Sequence, residues 1–262
     1  MRGVLVGRRD QNHSTVKYSH KENQITEVKH SGRSAIWNLP YVAYCVVSFT
    51  ALGLTVLAIN MFLPSLRQRR VVAGIMGRVF LWLSGIPFTA EGLERLPKTP
   101  CVVVANHASY IDAIAIVAAL PPEFAFVIKK EMVRVPLASL LLRRLGSQFV
   151  ERFDRHKGAT DARRVLKLAA TGQSLMFFPE GTFDETRQIG KFLGGAFATA
   201  RRAQMPVVAV AIHGTRDVMP PGGVSIRRLP IRVEILAVLS ADEARLKSRE
   251  LIAQAVGDPL AP

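Results

Sequence analysis

The stretch CVVVANHASYIDAIAIVAAL, residues 101–120, decides the fold predicted for this chain. Its first five residues are short, apolar and mostly β-branched, which favours a buried strand. The apolar run from Ala113 to Leu120 favours a helix, so the polar residues between the two form a strand-to-helix loop. Open α/β sheets place their ligands at such strand ends. We therefore expect His107 and Asp112 to lie at the rim of a sheet.

These two residues are a candidate acid–base pair, because an imidazole can remove a proton near neutral pH. An aspartate five residues further on can hold the ring in one tautomer and stabilise the imidazolium that forms. The spacing alone leaves a second interpretation open, in which His107 is an ordinary loop residue and Asp112 caps the following helix.

A second polar loop, FPEGT at residues 178–182, also follows an apolar strand and turns through proline and glycine. Glu180 can accept a hydrogen bond from a substrate hydroxyl or a backbone amide, and Gly181 allows a ligand to approach the backbone closely. Thr182 can donate to a carbonyl or a phosphate. The alternative is an ordinary turn with a solvated glutamate.

The rest of the chain alternates between short apolar runs and helical patterns. This alternation predicts an α/β domain with a mostly parallel sheet flanked by helices. One predicted helix, PLASLLLRRL at residues 136–145, is almost wholly apolar before Arg143 and is expected to cover the core rather than to line a tunnel. The further strands are predicted at 123–128, 148–150, 207–212 and 232–239, and the further helices at 160–171, 195–204 and 242–255.

Four ordered blocks of the sequence resemble those of the glycerolipid acyltransferase family, and most of all the pattern of its lysophosphatidate acyltransferases. They are NHASYID (106–112), GSQFVER (146–152), FPEGT (178–182) and MPVVAVAI (205–212). The resemblance implies transfer of a fatty acyl group from acyl-coenzyme A or acyl carrier protein to a lysolipid hydroxyl, with lysophosphatidate as the expected acceptor. It implies no cofactor, and no cysteine or histidine spacing indicates a metal site.

Roles for individual residues follow from the same resemblance. It makes His107 the general base and Asp112 its orienting partner. A direct attack by the acceptor is favoured, because the chain has no G-x-S-x-G motif and its two cysteines, Cys45 and Cys101, lie in apolar surroundings. The residues expected to bind the acceptor or its phosphate are Arg152, Glu180, Gly181, Thr182, Arg187 and Lys191.

Phe183 departs from the family pattern, since many lysophosphatidate acyltransferases carry an arginine there that is expected to meet the acceptor phosphate. The acceptor therefore stays open between lysophosphatidate and another molecule, such as a lyso-ornithine lipid or glycerol 3-phosphate. A non-catalytic lipid-binding membrane protein that keeps the fold is the alternative from a different class.

Membrane association is predicted from residues 34–66, which carry no charged side chain. About twenty apolar residues suffice to cross a bilayer, so this segment is predicted to be a transmembrane or membrane-inserted helix. Residues 67–90 combine arginines with apolar residues at helical spacing, which predicts an amphipathic helix on the membrane surface. The alternative for this second segment is a core helix of the soluble domain. The acyltransferase domain is expected to occupy residues 91–262.

The chain is strongly basic, with a net charge of +15 over 262 residues. Its first 33 residues carry seven basic and three acidic side chains and are expected to be a disordered basic tail. The charge suits an anionic membrane surface, the phosphates of coenzyme A or an acidic carrier protein. A nucleic-acid partner is not expected, because the chain has no nucleic-acid-binding motif. The dense arginine cluster after the apolar segment favours a cytoplasmic membrane with the catalytic domain facing the cytoplasm.

Overall fold

One sheet organises the part of the chain that the computed structural model describes, which is residues 38–151, 155–222 and 225–261, with only the backbone of residues 155–159. Seven strands of these described residues form that sheet. They are β1 (Phe88–Glu91), β2 (Val102–Ala105), β3 (Phe124–Lys129), β4 (Gln148–Val150), β5 (Ser174–Phe177), β6 (Val207–His213) and β7 (Ile231–Leu239).

The strand order is β1-β7-β6-β2-β5-β3-β4. Strands β2 to β6 run parallel to one another, whereas β7 pairs antiparallel with β6 and carries β1 parallel to itself. The predicted fold class, a mostly parallel sheet flanked by helices, is confirmed. Because β2 lies between β5 and β6, the loops that follow these three strands leave the same edge of the sheet side by side.

Helices cover both faces of this sheet. Because successive side chains of a strand point to opposite faces, β2 contributes Val103 and Ala105 to one core and Val102 and Val104 to the other. The α-helices of the described residues are α1 (Leu39–Phe62), α2 (Leu66–Leu83), α3 (Asp112–Ala119), α4 (Pro136–Arg144), α5 (Arg155–Ala170), α6 (Gly195–Arg202), α7 (Thr215–Val218) and α8 (Ala244–Val256). The first core is closed by α1, α2 and α3, and the second by α5, α6 and α8.

Helix α1 lies against the domain at both of its ends. At its start the Asn38 side chain donates to the backbone oxygen of Ile226 at 2.8 Å. At its end the guanidinium of Arg144 donates to the carbonyl oxygen of Asn60 at 2.7 Å. Between these ends most of its side chains are exposed or half-buried, and Val47 is 67% exposed. Among the described residues it is the one helix long and apolar enough to cross a membrane.

Helix α2 packs on α3 along a face of small residues. A Cβ on Gly74 would lie 3.2 Å from the carbonyl oxygen of Val117, and Arg78 donates to the carbonyl oxygen of Ala118 at 2.7 Å. The helix ends at Leu83, and the edge strand β1 follows.

The structure tests the expectations for the N-terminal part of the chain only in part. The edge strand β1 was not predicted, and it brings residues 88–90 of the supposed surface segment into the sheet. The division into a tail (1–33), an inserted helix (34–66), a surface helix (67–90) and a catalytic domain (91–262) otherwise stays a prediction. Residues 1–37 lie outside the described residues.

The expectation that α4 covers the core is wrong. Its only fully buried side chain is Ser139, whereas Leu137 and Leu140 are 58% and 43% exposed. The helix lies beside α1 rather than on a face of the sheet, and its Arg144 guanidinium donates to the carbonyl oxygen of Asn60 in that helix.

Candidate active site

The centre of the site is the loop that leaves β2, and a two-way amide pair fixes where this loop begins. The side chain of Asn106 donates to the carbonyl oxygen of Ile212 at 3.0 Å and accepts from its N–H at 2.8 Å. Asn106 is buried, so both of its polar groups need partners. This pair ties the end of β2 to β6. The Ser109 hydroxyl adds a second tie, by donating to the carbonyl oxygen of Met219 at 2.7 Å.

His107 and Asp112 are in direct contact. The Nδ1 atom of His107 lies 2.9 Å from Oδ2 of Asp112, whose side chain is fully buried. The same oxygen accepts the backbone N–H groups of Ala108 and Ser109 at 2.7 and 2.8 Å. Asp112 therefore fixes the loop and orients the ring at once; its bonds go to the loop before α3, and the start of α3 has no side-chain cap. With a proton on Nδ1 facing the carboxylate, Nε2 is the basic nitrogen of the ring.

Aromatic rings enclose the imidazole. Phe178 stacks on His107 with ring centroids 4.3 Å apart, and Phe183 meets it edge-on at 4.5 Å. Tyr110 in turn contacts Phe183 edge-on at 4.9 Å. The side chain of His107 keeps 19% of its surface exposed. The ring is thus held in one orientation within an apolar wall that still leaves an approach from solvent.

Glu180 joins the two polar loops through the backbone. One of its carboxylate oxygens accepts the N–H of His107 at 2.8 Å, and the other accepts the N–H of Gly190 at 2.7 Å. Burial raises the pKa of the Glu180 carboxyl, while these two donors act in the opposite direction. Of the two partners suggested by the sequence, a backbone amide or a substrate hydroxyl, the structure shows the first. Contact with the acceptor stays a prediction.

The other predicted binding residues are spread along the rim. Gly181 has a φ of +82°, a left-handed conformation that glycine adopts without strain, and this turns the chain after Glu180. Thr182 is exposed. Arg187 is paired with Asp217 on α7. Lys191 is exposed beside α8 and is not brought to the pair, and the call on Arg152 falls outside the described residues.

Sequence reasoning missed several contacts of this site. The amide pair of Asn106, the ring of Phe183 on His107 and the bond from Gly190 to Glu180 were not predicted. For the amide pair, the one signal in the sequence was an asparagine, Asn106, directly after an apolar strand. Among the described residues, no group of three or more His, Cys, Asp or Glu side chains is placed to hold a metal ion.

The chain is similar to known proteins in sequence and in fold. The family model described as Acyltransferase matches residues 87–213. The chain is 32% identical over 241 residues to a chloroplastic 1-acyl-sn-glycerol-3-phosphate acyltransferase of Brassica napus, covering 86% of this chain and 68% of that protein. It is 31% identical to the chloroplastic enzyme of the same name from Arabidopsis thaliana, covering 60% of this chain and 46% of that protein.

A solved structure has the same fold. The crystal structure of the 1-acyl-sn-glycerophosphate (LPA) acyltransferase PlsC from Thermotoga maritima matches with a TM-score of 0.73 at 22% identity, and the match covers 85% of this chain and 95% of that one. Together, the sheet, the histidine–aspartate pair and these matches define an O-acyltransferase. The chain belongs to the glycerolipid acyltransferase family. This sets aside the alternative of a non-catalytic lipid-binding protein.

Proposed function

We propose that this enzyme transfers a fatty acyl group from a thioester, acyl-coenzyme A or acyl carrier protein, to the free hydroxyl of lysophosphatidate and so forms phosphatidate. The observation that carries the proposal is the contact between Nδ1 of His107 and the buried Asp112 carboxylate. The names of the relatives support the acceptor, because each is called a 1-acyl-sn-glycerol-3-phosphate acyltransferase.

In this mechanism His107 acts as the general base. As the acceptor hydroxyl oxygen attacks the thioester carbonyl, Nε2 takes the hydroxyl proton and Asp112 stabilises the imidazolium that forms. The carbon–oxygen bond forms, the carbon–sulfur bond breaks, and the proton passes from the imidazolium to the leaving sulfur. General-base assistance is worth about 10²- to 10⁴-fold, so the positioning of the two substrates must supply much of the remaining rate.

The side chains near the pair support direct transfer without an acyl-enzyme. Both cysteines are buried, and burial raises the pKa of the Cys101 thiol to about 11. A thiol is a poor nucleophile until it loses its proton. The hydroxyl of Ser109 is committed to the carbonyl oxygen of Met219.

The test is acyl transfer by the full-length protein in mixed micelles, with lysophosphatidate and each donor class. We expect His107→Ala to lose about 10²-fold or more of kcat. The matched control is His213→Gln, because His213 is bonded to Glu234 on β7 and makes no described contact with the pair. Equal transfer by His107→Ala and the wild type would refute the mechanism.

A second acceptor class is favoured by one observation, the edge contact of Phe183 with His107. The family resemblance places at this position an arginine that would meet the acceptor phosphate, and two described arginines of the rim are engaged elsewhere. Arg187 pairs with Asp217, and Arg216 donates to the carbonyl oxygen of Asp184 at 2.9 Å. An acceptor whose anionic group is absent or more distant, such as a lyso-ornithine lipid, fits this wall. A panel of lysophosphatidate, lyso-ornithine lipid and glycerol 3-phosphate, ranked by kcat/KM, decides between them.

We further propose that the enzyme works at the cytoplasmic face of a membrane, with α1 as its anchor. Both ends of α1 are tied to the catalytic domain, so the helix enters the lipid while the domain stays bound along it. Its length of 24 residues corresponds to about 36 Å. Basic side chains beside an anchor each add about 1 kcal/mol of attraction to anionic lipid. Of the arginines that follow α1, Arg67 is 71% exposed, whereas Arg70 donates to the carbonyl oxygens of Leu145 and Pro122.

The anchor can be tested without disturbing its packing on the domain. A charge at the centre of a membrane helix costs about 2.5–3.5 kcal/mol, so Val47→Lys should weaken binding to anionic vesicles by roughly 10²-fold. Leu246→Lys is the matched control, because Leu246 is 70% exposed on α8. Equal binding by the two variants would refute the anchor. Protease protection in sealed, right-side-out membrane vesicles tests the orientation, and we expect the catalytic domain to resist digestion.

A further inference from the structure

The Glu180 carboxylate connects the catalytic loop to a segment ten residues further on. Its two oxygens accept the backbone N–H groups of His107 and Gly190. A Cβ at position 190 would lie 3.0 Å from Glu180 Oε2, so the two groups meet too closely for a larger residue to fit without displacement. A shift of Gly190 would therefore displace the Glu180 carboxylate, which accepts the backbone N–H of His107.

Residues 189 and 190 are in turn held from α8 by a single guanidinium. The Nε atom of Arg249 donates to the carbonyl oxygen of Gly190 at 2.8 Å, and one of its terminal nitrogens donates to that of Ile189 at 2.9 Å. Gly190 thus donates its N–H to Glu180 and offers its carbonyl to Arg249. A planar guanidinium can make both carbonyl contacts in one fixed geometry, which a lysine cannot do.

Residues 259–261 form backbone hydrogen bonds with Ile189 of the same segment. The N–H of Ile189 donates to the carbonyl oxygen of Pro259 at 2.9 Å, and the N–H of Ala261 donates to the carbonyl oxygen of Ile189 at 3.0 Å. These bonds form a short parallel bridge with Leu260. Arg249 also donates to the carbonyl oxygen of Ala261, so it holds both sides of the bridge.

We propose that Arg249 is a positioning residue for the acyl transfer. It acts on the reaction through Gly190 and Glu180, which fix the backbone of His107 and thereby the place of its ring. Catalysis depends steeply on such placement, since a displacement of about 1 Å can cost about 10²-fold in rate. The proposal rests on the assignment of His107 as the general base.

The test is a double-mutant cycle on kcat in the full-length protein. We expect Arg249→Ala to lower kcat by roughly 10- to 10²-fold, with KM for donor and acceptor little changed, because the guanidinium is engaged by the carbonyl oxygens of Ile189, Gly190 and Ala261. In a Glu180→Gln background the same substitution should cost much less, since the link it acts through is already broken. Coupled residues of one network behave in this non-additive way.

Arg245→Ala is the matched control. Arg245 lies one turn earlier on α8 and donates to the carbonyl oxygen of Phe192 at 2.9 Å, beyond the link to Glu180. We expect it to keep kcat within about twofold. An equal loss in Arg245→Ala and Arg249→Ala, or an equal cost of Arg249→Ala in both backgrounds, would overturn the proposal.

A second pair of variants covers the case in which Arg249→Ala does not fold. Arg249→Lys keeps the charge but not the paired donors, and Gly190→Ala disturbs the same link from the side of Glu180. Both should lower kcat without a change in KM, and unchanged kcat in both would also overturn the proposal. Full activity of His107→Ala would instead refute the proposed function, so the two failures are distinguishable.

Discussion

Asp112→Asn is the substitution that tests the catalytic pair most directly. The asparagine keeps the size of the side chain and one oxygen, so the N–H groups of Ala108 and Ser109 retain an acceptor. What is lost is the negative charge 2.9 Å from Nδ1 of His107. The variant therefore separates the orientation of the imidazole from the architecture of the loop.

The size of the effect follows from that contact. A hydrogen bond to a charged group is worth about 1.5–3 kcal/mol, which corresponds to about 10- to 150-fold in rate. The opposite orientation of the new amide would place its nitrogen at the Oδ2 position, against the N–H groups of Ala108 and Ser109 as well as Nδ1, so the amide oxygen is expected to keep this position and the loss is that of the charge. We expect kcat to fall by about 10²-fold with KM unchanged.

The assay follows thiol release from the acyl donor in mixed micelles, with thermal unfolding measured in parallel. Asp242→Asn is the control, because Asp242 is exposed at the start of the α8 region. Wild-type kcat in Asp112→Asn at unchanged thermal stability would mean that Asp112 serves only to fix the loop through Ala108 and Ser109. The assignment of His107 as an oriented base would then fail.

Three further predictions concern the Phe183 ring, the Cys101 thiol and the Glu180 carboxyl. Phe183→Arg places a cation beside His107, so the ratio of kcat/KM for lysophosphatidate to that for an uncharged lysolipid should rise, and an unchanged ratio would show that this position does not choose the acceptor. Burial raises the pKa of Cys101 to about 11; iodoacetamide should therefore label it only after unfolding, and Cys101→Ala should keep its activity. Burial raises the pKa of Glu180 above its usual value of 4.5, so ionisation of this carboxyl weakens folding as the pH rises through the raised value. In urea unfolding, the stability of Glu180→Gln relative to the wild type should therefore increase as the pH rises from the usual value of 4.5 through the raised pKa of Glu180, and a constant difference would contradict the assignment.

The sequence predicted the central strands of the sheet well, because their signal is local. Runs such as CVVVA and SLMFF are buried on both faces and read as strands without reference to any other part of the chain. The edge strand β1 carries only four residues, FTAE, of which two are exposed, and this pattern is too short and too polar to stand out. Helix α4 was misplaced for a related reason, since an apolar sequence does not reveal whether the fold provides a surface for it to cover.

Within the site, the sequence indicated the contact of His107 with Asp112, because only five residues separate them and one loop can bring them together. The role of Glu180 depended on more distant partners. Its acceptor capacity was evident, yet its link to His107 crosses 73 positions and requires β2 and β5 to be neighbours. The contacts of Phe178 and Phe183 with His107 also require β2 and β5 to be neighbours.

The sequence by itself determined the residue types of the reaction, the strand ends that carry them and the family to which the chain belongs. These follow from short-range patterns, in which each residue's role is set by its neighbours along the chain. Only the tertiary structure decided that Glu180 holds the backbone of His107, that Arg249 on the last helix holds the partner of Glu180, and that α1 is tied to the domain at both ends. The physical reason is that such hydrogen bonds depend on strand order and helix packing, which join residues far apart in sequence.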